Sequence, residues 1–179
     1  KQLDTRLFVR PAIDTTIEVV EIENKFSDFN MDPQLKKNLE TRGFSTPTPI
    51  QDKTLKAGLA GTDIIGLADT GTGKTTAFVL PILNNIISDP GQTALILAPT
   101  RELAVQIRDE IRQLSMSLPI YSCLLIGGSS MERQIADLRR RPHIFVGTPG
   151  RIKDLYQRNV LRFDRVRTVV LDEMDRMLD

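Results

Sequence analysis

Apolar residues in this chain fall into short, nearly continuous runs, separated by stretches in which they recur every three or four positions. Five runs have strand length: TDIIGLA (62–68), TALILAP (93–99), YSCLLIGG (121–128), HIFVGTP (143–149) and TVVLDE (168–173). Continuous rather than alternating apolar character predicts strands buried on both faces. Helical spacing occupies 74–87, 101–117, 131–139 and 151–157. Two further helices precede the first run. Asp32-Pro33 supplies an N-cap with proline in the first turn and Gly43 a stop, and Thr48-Pro49 repeats the device for a helix ending near Gly61. Ser129 followed by Glu132 predicts a capping box for the helix at 131. Strand and helix alternating in this way predict an α/β fold with a mainly parallel sheet, helices on both faces, and ligands at the carboxyl ends of the strands. Residues 1–24 show mixed charge and no helical period. TTIEVVEI (15–22) suits extended chain, so 1–24 reads as an extension or linker before a domain at 25–179.

The 179 residues suffice for one buried core, and 40% apolar with 26% charged residues is the balance of a globular chain. No run has the length of a membrane-spanning helix, and no N-terminal stretch reads as a secretory signal. One cysteine, Cys123, permits no internal disulfide and fits a reducing, cytoplasmic setting. It lies within an apolar run and is expected in the core, as are Phe29, Phe78 and Phe145. His143 has no neighbouring His or Cys cluster and is not expected to bind metal. The net charge of +1 gives no sign of a polyanionic partner, but residues 133–167 carry ten Lys/Arg against three Asp, a local +7. Such a segment attracts phosphates or simply coats solvated helices, and both readings apply to Arg139, Arg140 and Arg141.

The first apolar run leads directly into ADTGTGKT (68–75) and then an apolar helix. Glycines at Gly71 and Gly73 let a tight turn aim backbone N–H groups at phosphate oxygens, and the helix N-terminus adds its positive end. Lys74 would reach the β and γ phosphates and Thr75 would offer a hydroxyl to Mg²⁺. The strict form of this loop has glycine at the Ala68 position, and an ordinary strand-to-helix turn is the alternative. The last run ends in Asp172-Glu173. Two acids at a strand tip suit a Mg²⁺ site at Asp172 and a base at Glu173 that orients and deprotonates water; capping of the next helix is the competing explanation.

Taken together, these residues resemble the DEAD-box family of ATP-dependent RNA helicases. GFSTPTPIQ (43–51) is similar to that family's adenine-recognising Q motif, with Phe26 at the upstream aromatic position. PTREL (99–103), Gly127-Gly128, TPGR (148–151) and DEMD (172–175) follow in the family's order, so the resemblance covers 26–179. It implies a RecA-like P-loop NTPase domain, a three-layer α/β/α sandwich, cut just past the Asp-Glu pair. The strand expected between the phosphate-loop strand and the Asp-Glu strand would then be lacking, leaving a gap in the sheet and Asp175 without its usual partner. ATP and Mg²⁺ are the implied cofactors. The implied nucleotide site comprises Phe26, Phe44, Gln51, Ala68, Asp69, Thr70, Gly71, Thr72, Gly73, Lys74, Thr75 and Thr76, with Mg²⁺ at Thr75 and Asp172. Glu173, Lys74 and Asp172 are the implied catalytic residues.

Thr100, Arg101, Gly128, Thr148 and Arg151 match positions along the family's RNA track, and backbone contacts there would be sequence-tolerant. The resemblance further implies a monomer without membrane attachment. A second RecA-like domain would supply an arginine finger, so this chain alone is expected to turn over little ATP. Asp69, Thr72 and Met174 depart from the family's Gln, Ser and Ala. Asp69 brings a negative charge towards a polyphosphate unless its side chain faces away, and Met174 should change the packing beneath the site. A non-catalytic, nucleotide-gated RNA clamp and a DNA-unwinding relative on the same fold are the rival readings.

Overall fold

The computed structural model describes residues 21–69 and 71–178. After a 3-10 turn at Phe26–Asp28 the elements are α1 (Pro33–Thr41), α2 (Pro49–Leu59), α3 (Lys74–Ser88), β1 (Thr93–Leu97), α4 (Arg101–Leu114), β2 (Ser122–Leu125), α5 (Met131–Arg139), β3 (Ile144–Gly147), α6 (Pro149–Gln157), β4 (Val166–Leu171) and α7 (Asp175–Leu178). The Asp32 carboxylate accepts from the Gln34 N–H at 2.8 Å and opens α1. That helix closes where Gly43 takes a φ of +75° and the Phe44 N–H donates back to Leu39 O at 2.9 Å. At the start of α2, Gln51 Oε1 accepts from the Thr48 N–H at 2.9 Å. The cap of α5 lies one residue beyond the expected Ser129: Ser130 Oγ accepts from the Arg133 N–H at 3.2 Å and binds the Glu132 carboxylate at 2.8 Å. Ser130 is the residue whose side chain faces the free N–H groups of the first turn.

The four strands pair in the order β2-β3-β1-β4, all parallel. Alternation along each strand divides the apolar side chains between two layers. Ala94, Ile96, Ile144 and Val146 join one core with α1, α3 and α4, while Leu95, Cys123, Leu125 and Phe145 join another with α6 and, at its margin, α5. Helices thus cover both faces, giving the predicted three-layer α/β/α sandwich. Cys123 is buried as expected, and that burial, aided by the Asp137 charge, pushes its thiol up to about 12. Phe29 and Phe145 are also buried, and Phe78 packs partly buried against the first core. Among the described residues no helix is long and apolar enough to cross a membrane.

One predicted strand does not form. The 62–68 run has no strand hydrogen bonds, and Ile65 and Leu67 are 92% and 91% exposed. A strand exists only through a paired neighbour, and no described strand joins this segment to the sheet. Correspondingly, β4 has one unpaired edge and alternating burial, with Val169 and Leu171 exposed. Among the described residues the sheet ends at β4.

Candidate nucleotide and RNA site

Because all four strands are parallel, their carboxyl ends deliver four loops to one edge of the sheet. β1 leads to Thr100, whose Oγ1 accepts from the Leu103 N–H at 3.2 Å and caps α4. β2 leads to Gly127-Gly128, β3 to Thr148 at the start of α6, and β4 to Asp172. The guanidinium of Arg101 lies across both glycines: a Cβ at Gly127 would stand 3.3 Å from Arg101 Nη2, and one at Gly128 would overlap the guanidinium. Gly128 also takes a φ of +74°, a conformation that glycine adopts without strain. Arg151 directs Nη1 and Nη2 at Ser129 O, at 3.4 and 3.5 Å. A cleft of about 630 Å³ opens between these loops, and its lining includes Thr100, Arg101, Gly127, Thr148 and Arg151 together with the acidic Glu102 and Asp154. The geometry thus brings together all five residues expected on the RNA track, Gly128 through its contact with Arg101. Arg140 is elsewhere: it lies over Tyr121 at 5.8 Å, at the amino end of β2, away from the cleft.

The phosphate loop precedes α3. Gly71 and Gly73 take φ values of +82° and +89°. Lys74 Nζ donates to Ala68 O at 2.7 Å, and Thr72 Oγ1 donates to Asp69 O at 2.7 Å. The side chain of Asp69 is exposed, Thr75 is half-buried, and Thr70 lies outside the described residues. Gln51, 6% exposed, uses both ends of its amide: Nε2 donates to Gly73 O at 3.0 Å while Oε1 holds the Thr48 N–H. Recognition of a base edge by Gln51 therefore has to share or exchange these partners. Phe26 differs from expectation. At 4% exposure its ring is buried in the first core rather than open to a ligand. Phe44, 38% exposed, is the available ring, with the Arg42 guanidinium 4.8 Å from its centroid.

Asp172 continues the β4 ladder, its N–H donating to Leu97 O at 3.0 Å. Burial raises its carboxyl above the ordinary aspartate value; the Lys74 charge and the Glu173 N–H at 3.1 Å oppose this, and the Glu173 charge reinforces it. Glu173 has a φ of +50°, a left-handed conformation costing a side-chain-bearing residue about 1–2 kcal/mol. Its Oε2 accepts from Arg176 Nη1 at 2.9 Å. Met174 corrects a second expectation: it does not pack beneath the site but is 46% exposed, in the turn that follows β4.

A family model described as DEAD/DEAH box helicase matches residues 48–179. The chain belongs to this family. It is 48% identical over 156 residues to the ATP-dependent RNA helicase CshA of Listeria monocytogenes, covering 87% of this chain and 30% of the relative. The DEAD-box ATP-dependent RNA helicase CshA of Bacillus licheniformis is 45% identical over 160 residues, covering 86% of this chain and 32% of the relative. The chain thus spans about a third of the length of the curated relatives it matches. In structure it resembles a DEAD box protein from the hyperthermophile Methanococcus jannaschii, with a TM-score of 0.80, 36% identity, and coverage of 86% of this chain and 42% of that one.

Within this DEAD/DEAH box domain, two residues near the loop carried no signal in the sequence. Arg42 binds Glu110 bidentately, Nη1 to Oε1 at 2.8 Å and Nη2 to Oε2 at 2.9 Å, and Thr76 Oγ1 donates to the same Oε1 at 2.8 Å. Burial opposes ionisation of Glu110, but the hydrogen bonds from Arg42 and Thr76 and the Arg42 charge outweigh it and hold the carboxyl below the usual glutamate range. Arg42 and Glu110 are 68 positions apart, beyond the reach of any local pattern.

Proposed function

We propose that this chain is the ATP- and RNA-binding half of an ATP-dependent RNA helicase. The observation that carries the reading is the shared edge at which the phosphate loop, the Asp172-Glu173 tip and the Arg101–Gly128 cleft all open. Residues Ala68, Gly71, Gly73 and Lys74 suit a polyphosphate: both glycines are in the left-handed region, and the lysine's partner is a neutral carbonyl that a charged phosphate oxygen would outcompete. Asp172 suits a divalent cation, since its half-buried carboxyl lies beside a second acid and its proton affinity is raised. Among the described residues no three His, Cys, Asp or Glu side chains gather as a metal site. Mg²⁺ at Thr75 and Asp172 would therefore take its other ligands from phosphate and water, and when bound it neutralises charge on the phosphate oxygens.

Glu173 orients and deprotonates the attacking water. Its left-handed backbone turns the side chain off the strand direction, and the hydrogen bond from Arg176 holds its carboxylate in place. Thr100, Arg101, Gly128, Thr148 and Arg151 hold a single RNA strand by its sugar-phosphate backbone, through helix N-termini and guanidinium forks rather than base edges. A second RecA-like domain completes the site and supplies an arginine finger, so that hydrolysis remodels or locally opens RNA only when both halves are present. Nothing in the chemistry calls for a membrane or a partner subunit, and a cytoplasmic monomer is the expected setting.

The decisive experiment is RNA-stimulated ATP turnover by a longer protein carrying this sequence and a second domain, alongside its Glu173→Gln variant and the 179-residue chain alone. Turnover in the first only supports the reading. Equal turnover with and without Glu173 would instead make the protein a nucleotide-gated RNA clamp. Robust RNA-stimulated turnover by the 179 residues alone would overturn the two-domain requirement. Competition between RNA and DNA of equal sequence distinguishes a DNA-unwinding relative.

A further inference from the structure

Phe44 follows a tightly fixed backbone turn but carries a half-exposed ring. Its N–H is tied to Leu39 O and the preceding Gly43 N–H to Glu40 O at 2.9 Å, so only the side-chain torsions remain free. One face of that ring is covered by the Arg42 guanidinium. The guanidinium is itself immobilised, because both terminal nitrogens are engaged by the Glu110 carboxylate. That carboxylate also holds Thr76, in the first turn of the helix that starts at Lys74. A single carboxylate therefore references both the Phe44 ring and the helix that would carry the phosphates.

We infer that Arg42 is a positioning residue for the nucleotide base: clamped by Glu110, it packs one face of Phe44 and holds the other towards a purine. This rests on the nucleotide-binding reading of the site and adds to it a residue outside every motif quoted for that site. Two features set it apart from a surface ion pair. The bidentate geometry needs a planar fork, which lysine cannot provide. The same guanidinium also meets an aromatic face, so loss of the fork frees the ring even where charge is retained.

The test measures affinity of the 179-residue chain for a fluorescent ADP derivative and for inorganic tripolyphosphate, in the wild type, Arg42→Met, Arg42→Lys, Phe44→Ala and the Arg42→Met/Phe44→Ala double variant, with melting curves for each. Arg42→Met and Arg42→Lys are expected to weaken ADP roughly tenfold, the size of one lost base-stacking contact, and to leave tripolyphosphate unchanged. The double variant should bind ADP no more weakly than Phe44→Ala, because Arg42 acts through the ring. Unchanged ADP affinity in Arg42→Met, a parallel fall for ADP and tripolyphosphate, or additive losses in the double variant would each overturn the inference. A lower melting temperature with unchanged ADP affinity would reduce the ion pair to a structural role. Failure of the wild type to bind either probe would instead overturn the nucleotide-binding reading itself, and binding of tripolyphosphate without ADP would overturn base recognition at Phe44.

Discussion

Lys74 Nζ donates to the carbonyl oxygen of Ala68 at 2.7 Å, so the lysine spans the loop that it terminates. The contact pairs the cation with a neutral acceptor, which on the proposed reading a phosphate oxygen would replace. Lys74→Ala is expected to weaken nucleotide binding roughly 10- to 100-fold, the value of a hydrogen bond to a charged group. Its melting temperature without nucleotide should change little, because the loop carries few packing contacts. Titration with fluorescent ADP and a parallel melt separate the two effects, and retained affinity would remove the lysine from the site.

Gly128 is constrained twice, by a φ of +74° and by the Arg101 guanidinium lying where a Cβ would project. Gly128→Ala should therefore cost about 1–2 kcal/mol of backbone strain in chemical denaturation. It should also displace Arg101 from the cleft and weaken single-stranded RNA binding, with a smaller salt dependence than wild type. Wild-type RNA affinity in a folded Gly128→Ala chain would place the RNA elsewhere.

Glu110 makes stability depend on pH in a defined direction. Its folded-state pKa is depressed, so its ionised form contributes stability at and above neutral pH, and that contribution is lost as pH falls through the depressed value. Glu110→Gln is expected to lose roughly 1–3 kcal/mol at pH 7, for hydrogen bonds from Arg42 and Thr76 to a charged acceptor. The gap to wild type should narrow below the ordinary glutamate range. A difference independent of pH would mean that shape rather than charge matters at this position.

Local chemistry made most of the sheet and its helices legible. The cap at Asp32 and the stop at Gly43 are set by groups within a few residues, and the structure shows both, while α2 opens at Thr48-Pro49 with Gln51 Oε1, not the Thr48 hydroxyl, making the bond. The loops at Thr100, Gly127-Gly128 and Thr148 converge because parallel strands must end on one side. What escaped the sequence depends on distant or missing neighbours. TDIIGLA has the composition of a buried strand, yet composition does not supply the paired strand that burial requires. Phe26 matched an aromatic position of the implied nucleotide site, and nothing near it in sequence shows that its ring is buried in the core. The Arg42–Glu110–Thr76 contacts join three helices, and none of the three residues falls in a pattern that implies the others.

Ile65 and Leu67 in the 62–68 segment, and Val169 and Leu171 on β4, are exposed apolar side chains of a kind that a sheet would ordinarily bury. In the 179-residue chain, Ile65→Ser with Leu67→Ser should change stability by no more than about 0.5 kcal/mol, the usual range for exposed positions. It should also reduce self-association, measured by sedimentation at increasing concentration. In a longer protein where a further strand pairs β4 with this segment, both side chains become buried. The same double substitution should then cost at least about 3 kcal/mol, from roughly 1.5–3 kcal/mol per buried aliphatic side chain. The contrast between the two lengths is the measurement that matters. Equal, small costs in both would mean that the segment never joins the sheet, and the phosphate loop would then hang from flexible chain rather than from a strand end.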